Sequence, residues 1–138
     1  MINIPTTEHP LIIRTDFSTQ ASWDDLTDEV QEPADPFVFN MEFLDDRANE
    51  GATVKQLMAA LPEDYPHSFL VVADKLANTQ PDHPLLVVDL LEEPGNKFRA
   101  IATQVAAIEN NLSTANMGFD EFAEAVDETG VFRGLPES

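Results

Sequence analysis

Two runs decide how this chain folds: HSFLVVAD, residues 67–74, and LLVVDLL, residues 85–91. Both are dense and apolar, without the polar alternation of a half-exposed strand, so they read as strands buried on both faces. Working outward, LIIRT (11–15) reads as another strand, entered through Pro10 and left at Asp16. FVFNMEFL (37–44) alternates strictly, with Phe37, Phe39, Met41 and Phe43 on one face. The Pro-Gly turn in EEPGNK (92–97) predicts that KFRAI (97–101) returns as a hairpin partner of the second run.

Between these strands the period changes. From Ser18 to Glu32, Trp23, Leu26 and Val30 stand at i, i+3 and i+7, and Pro33 and Pro36 break the helix they predict. Thr53 with Gln56 three residues on is a capping-box pattern that opens a helix through Leu61, stopped by Pro62. Ile101, Val105, Ile108 and Leu112 keep helical spacing, as do Phe119, Phe122, Ala123 and Val126 in a last helix ended by Gly130. The order β-α-β-α-β-β-β-α-α predicts an α/β fold: a two- or three-layer sandwich on a mostly parallel sheet of about five strands, with about four helices. The first three strands are expected to be parallel, with the hairpin at one edge. Residues 1–138 form one domain on this reading, with 1–9 a flexible arm and 134–138 a flexible tail.

Composition narrows the chemistry. Seven Lys and Arg face 26 Asp and Glu, a formal net charge of −19, while 43% of residues are hydrophobic, enough for a core. Small soluble domains carry a net charge of about 2–8 in magnitude. This excess repels nucleic acid and anionic membranes, attracts basic proteins and cations, and also serves plain solubility. With no cysteine there are no disulfides, thiolate nucleophiles or cysteine-held metals. The N-terminus MINIPTTEHP lacks the basic and apolar regions of a signal peptide, and no apolar run nears the roughly 20 residues of a membrane span, so a cytoplasmic protein is expected. The chain holds no G-x-G-x-x-G, Walker-type loop, H-E-x-x-H, G-x-S-x-G or EF-hand spacing, and His9, His67 and His83 stand apart in sequence.

Three carboxylates draw attention. Asp16 and Asp74 end predicted strands, at the edge where parallel α/β sheets bind ligands, and Asp89 interrupts an apolar run. A buried unpaired carboxylate costs several kcal/mol. As parallel neighbours the three acids would converge on one divalent cation, held by oxygen ligands. The alternative is that Asp16 and Asp74 cap the turns after them while Asp89 pairs with Arg14 or Arg99. Arg14 shares the face of Ile12 and Asp16, where an apolar residue is expected; it either pairs with a buried carboxylate or binds a substrate anion.

The asparagines of IENNLSTANMGFDEF (108–122) admit two readings. Asn110 or Asn111 can end one helix in the left-handed conformation, and Asn116 or Gly118 can cap the next, with Met117 and Phe122 as a hydrophobic staple. Those not so used are free to bind a ligand. Acidic clusters supply the last candidates: Asp24, Asp25, Asp28, Glu29 and Glu32 on one helix face, Asp120, Glu121, Glu124, Asp127 and Glu128 on another, and Asp45, Asp46 and Glu50 in a loop. Like charges at i,i+4 cost a few tenths of a kcal/mol per pair, a cost that a basic partner would reverse.

The segments LIIRTDFS with Trp23, HSFLVVAD, HPLLVVDLLEEPG and IENNLSTANMGFDEFAEAVDETGVFRG together resemble a bacterial family of small acidic single-domain proteins, a domain of unknown function. The resemblance covers most of positions 10–134 and implies no activity, cofactor or site residue. The residues themselves point to a non-enzymatic binding domain for a basic protein, such as an immunity-type inhibitor or a nucleic-acid mimic. The contact residues expected are Arg14, Asp24, Asp25, Asp28, Glu29, Asp45, Asp46, Asn110, Asn111 and Asn116. The alternatives are a divalent-metal enzyme built on Asp16, Asp74 and Asp89, and an accessory domain that self-associates through its aromatic strand. No cofactor is firmly implied beyond that cation.

Overall fold

The computed structural model describes residues 2–32 and 39–134. In chain order the elements are β1 (Leu11–Arg14), α1 (Gln20–Val30), β2 (Glu42–Leu44), α2 (Val54–Ala60), β3 (Phe69–Ala73), α3 (Lys75–Thr79), β4 (Leu85–Asp89), β5 (Lys97–Ala100), α4 (Val105–Ser113), α5 (Phe119–Ala123) and β6 (Val131–Phe132). One six-stranded sheet runs in the order β2-β1-β3-β4-β5-β6. The first three strands are parallel, as expected, with Ile12 beside both Phe43 and Val71. β4 is not: it runs antiparallel to β3 and to β5, and β6 then pairs parallel with β5. The sheet is thus mostly parallel, as expected, with two antiparallel pairings, but the β4–β5 hairpin is internal rather than at an edge. A parallel return needs a crossover of a dozen or more residues, and residues 74–84 hold only the short α3.

Strand parity sorts the core into two layers. Ile12, Phe69, Val71, Leu85, Val87, Phe98 and Phe132 face α1, α4 and α5, while Leu11, Ile13, Leu70, Val72, Leu86 and Val88 face Leu57 of α2. β1–α1–β2 and β2–α2–β3 thus cross on opposite faces, and the domain is three-layered. β3 and β4 are buried along their whole length, which is why their sequence shows no alternation. α1 starts at Thr19, whose hydroxyl accepts from Ser22 N–H, and buries the expected Trp23, Leu26 and Val30. The Thr53–Gln56 capping box forms in both directions. Residues 2–9, read as a flexible arm, lie on the second layer: Ile4 is buried, and Asn3 N–H donates to Asn49 Oδ1 at 2.9 Å. Pro33, Pro36, Phe37 and Val38, and the tail beyond Gly134, lie outside the described residues.

The C-terminal elements depart from expectation. α5 stops at Ala123 instead of running to Gly130, which takes a left-handed φ of 82° in the turn before β6. Asp127 builds that turn: its carboxylate accepts from Thr129 Oγ1 at 2.6 Å, Val131 N–H at 3.1 Å and Arg133 Nε at 2.9 Å. The Thr129 hydroxyl, then Arg133 and the Val131 N–H, hold the Asp127 carboxyl well below the usual carboxylate range. Asp46 is lowered too, by the Ala48 N–H and the Asn3 amide. A carboxyl depressed below its unfolded value of about 4 stabilises the fold at higher pH, and that contribution is lost as pH falls through the folded pKa. Circular-dichroism melts should therefore show the melting temperature dropping below about pH 4, less steeply in Asp127→Asn. An unchanged slope in the variant would assign the acid transition to other carboxylates.

Candidate functional site

The sheet edges decide the fate of the three candidate metal carboxylates. Asp16 and Asp74 follow β1 and β3 at their C-terminal ends, on one edge of the sheet. Asp89 ends the antiparallel β4 and sits at the other edge, opposite Phe69, the first residue of β3. The three acids do not converge, so they form no common divalent site. Each is occupied locally. Asp74 caps α3 through Ala77 N–H and takes both guanidinium nitrogens of Arg99, at 3.0 and 2.7 Å. Asp16 accepts from Ser18 Oγ and from Asn78 Nδ2, each at 2.9 Å. Burial pushes the Asp16 carboxyl up, but Asn78, Ser18 and the charge of Lys75 outweigh it and leave it below its ordinary value. Asp89, 2% exposed, pairs with neither arginine; its oxygens accept the N–H groups of Leu91 at 3.0 Å and Glu93 at 2.8 Å, closing the β4–β5 turn.

Arg14 is likewise spoken for. It is 3% exposed, lies over the rings of Phe17 and Trp23 at 4.3 and 5.0 Å, and donates to the Asp16 carbonyl, Gln20 Oε1 and Asp45 Oδ1. Its partner is thus the loop acid Asp45, not Asp89, and no ligand is needed to satisfy it. Asp46 caps the short 3-10 turn at 47–49. On α1, Asp24 and Asp28 face solvent, Asp24 taking a bond from Gln20, whereas Asp25 and Glu29 turn toward His83. The aromatic face of residues 39–43 is turned inward: Phe39 stacks on Phe43, and Phe43 meets Trp23 edge-on at 5.8 Å.

The asparagines prove to be scaffolding for a groove. Asn110 and Asn111 lie inside α4, which runs on to Ser113, and donate back to the carbonyls of Ala106 and Ala107 at 2.8 Å. The left-handed residue after the helix is Ala115, φ 58°, not an asparagine. Asn116 Nδ2 donates to Asn111 Oδ1 at 2.8 Å, while the Asn116 and Met117 N–H groups share the Asn111 carbonyl. Gly118 then caps α5, with Glu121 reaching back to its N–H at 2.8 Å. This folded corner brings Met117 to a groove of about 180 Å³ walled by Phe69, Leu91, Leu112, Met117 and Phe119. A second hollow continues it past Ser68, Leu91 and Leu112. The carboxylates at its rim are Asp89, already committed to the turn, and the exposed Glu92.

The family model described as Domain of unknown function (DUF6924) matches residues 9–135. The chain belongs to that family. No curated protein matches it. In this DUF6924 domain the matched span takes in every strand and the whole groove. Its electrostatics are one-sided. Arg14, Arg47, Arg99 and Arg133 are tied to the domain's own carboxylates, which leaves Lys55, Lys75 and Lys97 as cations outside ion pairs among the described residues. Glu92 and Glu93, beside the groove, have no basic partner among the described residues. Leu91, 70% exposed, belongs to the apolar wall and directly precedes them in the chain. Sequence reading had no means to find this groove, because its walls come from three separate stretches of chain. No helix among the described residues is long and apolar enough to cross a membrane.

Proposed function

We propose that this DUF6924 domain is a non-enzymatic binding module for a basic protein segment. One apolar side chain of that segment enters the groove beside Leu91, and Lys or Arg flanking it meets Glu92 and Glu93. The observation that carries this reading is the 70% exposed Leu91, set on the lip of an apolar groove with unpaired acids beside it. A large apolar residue in water at a concave site, rimmed by charge, is the arrangement that protein interfaces use. The charge excess steers a basic partner in, and the groove gives that encounter a register.

Fluorescence anisotropy with labelled peptides tests it. Peptides bearing two or three Lys or Arg around a central Leu or Phe should bind, and the same peptides with Ser at the centre should bind at least about tenfold more weakly. Leu91→Asp should abolish the difference without changing the melting temperature, because the side chain is exposed. Equal binding of the Leu and Ser peptides, lost together in salt, would reduce the interaction to charge and overturn the groove reading.

A further inference from the structure

We infer that Asp25, Glu29 and His83 form a binding site for a divalent transition-metal ion, on the C-terminal half of α1 and independent of the groove. Asp25 and Glu29 stand one turn apart on α1, so both carboxylates face the same way. His83 meets them from the loop before β4. Its Nε2 lies 2.8 Å from Asp25 Oδ2 and 3.2 Å from Glu29 Oε2, and all three ligand atoms fall within 4.8 Å of one another. Metal–nitrogen and metal–oxygen bonds of about 2.0–2.2 Å place adjacent ligand atoms about 3.0–3.5 Å apart. The imidazole nitrogen is therefore within a few tenths of an ångström of that spacing from each carboxylate, and the two carboxylates, no more than 4.8 Å apart, lie on either side of it.

Outside the trio, a further contact sets the ring for this task. His83 Nδ1 lies 2.9 Å from the Ala77 carbonyl, which can only accept, so Nδ1 carries the hydrogen and Nε2 is the nitrogen left to bind. A backbone carbonyl on the far nitrogen is the usual support of a metal-binding histidine. The ring is 8% exposed, while Asp25 is 69% and Glu29 36% exposed, so the nitrogen is held rigidly and the oxygens can adjust. Asp82 and His83 both take left-handed backbone, φ 66° and 47°, which turns the ring back toward α1. Two carboxylates and a neutral imidazole carry a charge of −2, which a divalent ion balances. One nitrogen with two oxygens suits Zn²⁺ or Mn²⁺ better than Mg²⁺ or Ca²⁺, which favour oxygen alone. Three protein ligands leave a position open to water or to a partner's side chain.

The test is a titration of tag-free, chelator-treated protein at neutral pH with ZnCl₂, MnCl₂ or MgCl₂, ionic strength matched with NaCl, read by calorimetry and melting temperature. We expect saturable binding of one Zn²⁺ per chain, and a melting temperature raised by about 5–10 °C at a hundredfold excess over Kd. Mg²⁺ should do no more than NaCl. His83→Gln should abolish the response. Should that buried substitution unfold the chain, Asp25→Asn with Glu29→Gln alters only the more exposed ligands and should weaken Zn²⁺ binding at least about thirtyfold. A double variant that still binds Zn²⁺ as the natural chain does would overturn the site, as would a Zn²⁺ response no larger than that of Mg²⁺.

Discussion

Phe122→Ala is expected to lower the free energy of unfolding by about 3–5 kcal/mol, the largest effect of any single substitution considered. Phe122 is buried at the meeting point of α5, β5 and β6. Its ring meets Phe132 edge-on at 5.2 Å and lies nearly parallel to Phe98 at 6.4 Å. Phe119 covers the other side of Phe98 at 4.9 Å. Truncation loses the transfer free energy of the ring and leaves a cavity that three neighbouring aromatic rings are too rigid to fill. A domain of this size has about 5–15 kcal/mol in total, so urea titration should show a midpoint at well under its natural value. Because Phe132 belongs to the two-residue β6, hydrogen exchange at Ile101, whose N–H donates to the Phe132 carbonyl at 3.1 Å, should accelerate most. A loss below 1 kcal/mol would mean that α5 can shift inward and that the aromatic cluster is not close-packed.

Asp89→Ala should cost about 2–4 kcal/mol, through a different mechanism. Two turn N–H groups, of Leu91 and Glu93, would lose their part-buried acceptor, and an unmet donor shielded from water costs about 1–3 kcal/mol. Some of that is offset because a buried carboxylate no longer has to be desolvated. Asp89→Asn keeps one accepting oxygen but sets an N–H₂ against the other N–H, so its melting temperature should fall between the natural chain and the alanine variant. This ordering separates a turn-building role from the metal role that the sequence suggested. A cation ligand would give an Asn variant with an undisturbed melting temperature and a lost response to Mg²⁺. Asp89→Ala should also disturb the groove, since the turn it closes carries Leu91, and peptide binding should weaken in proportion.

Much of this fold could be read from local pattern. Trp23, Leu26 and Val30 announced α1, Thr53 with Gln56 announced α2, and Gly118, one of two caps offered with Asn116, opened α5, because periodicity and caps act over three or four residues and carry their own energy. The unbroken apolarity of β3 and β4 likewise records burial on both faces. The family match was also foreshadowed, on the same segments that form the sheet and the corner at 108–118. What the sequence by itself determined, then, is the identity and the buried face of each long element, together with the charge that surrounds them.

Direction, pairing and convergence were decided only in three dimensions. β4 turned antiparallel because residues 74–84 are too few to cross the sheet, and that one reversal moved Asp89 to the opposite edge from Asp16 and Asp74. α3, of five residues, and β6, of two, are too short to show a period. Asn110 and Asn111 looked like helix stops, but Leu112 found burial against the core and drew α4 onward, leaving Ala115 to take the left-handed turn. His83 showed no relation to Asp25 and Glu29 along the chain; only the packing of α1 and α3 on one face of the sheet brings them within bonding distance. Such contacts link residues more than fifty positions apart, and their energy depends on which surfaces are buried together. No window of sequence contains that information, and the tertiary fold supplies it.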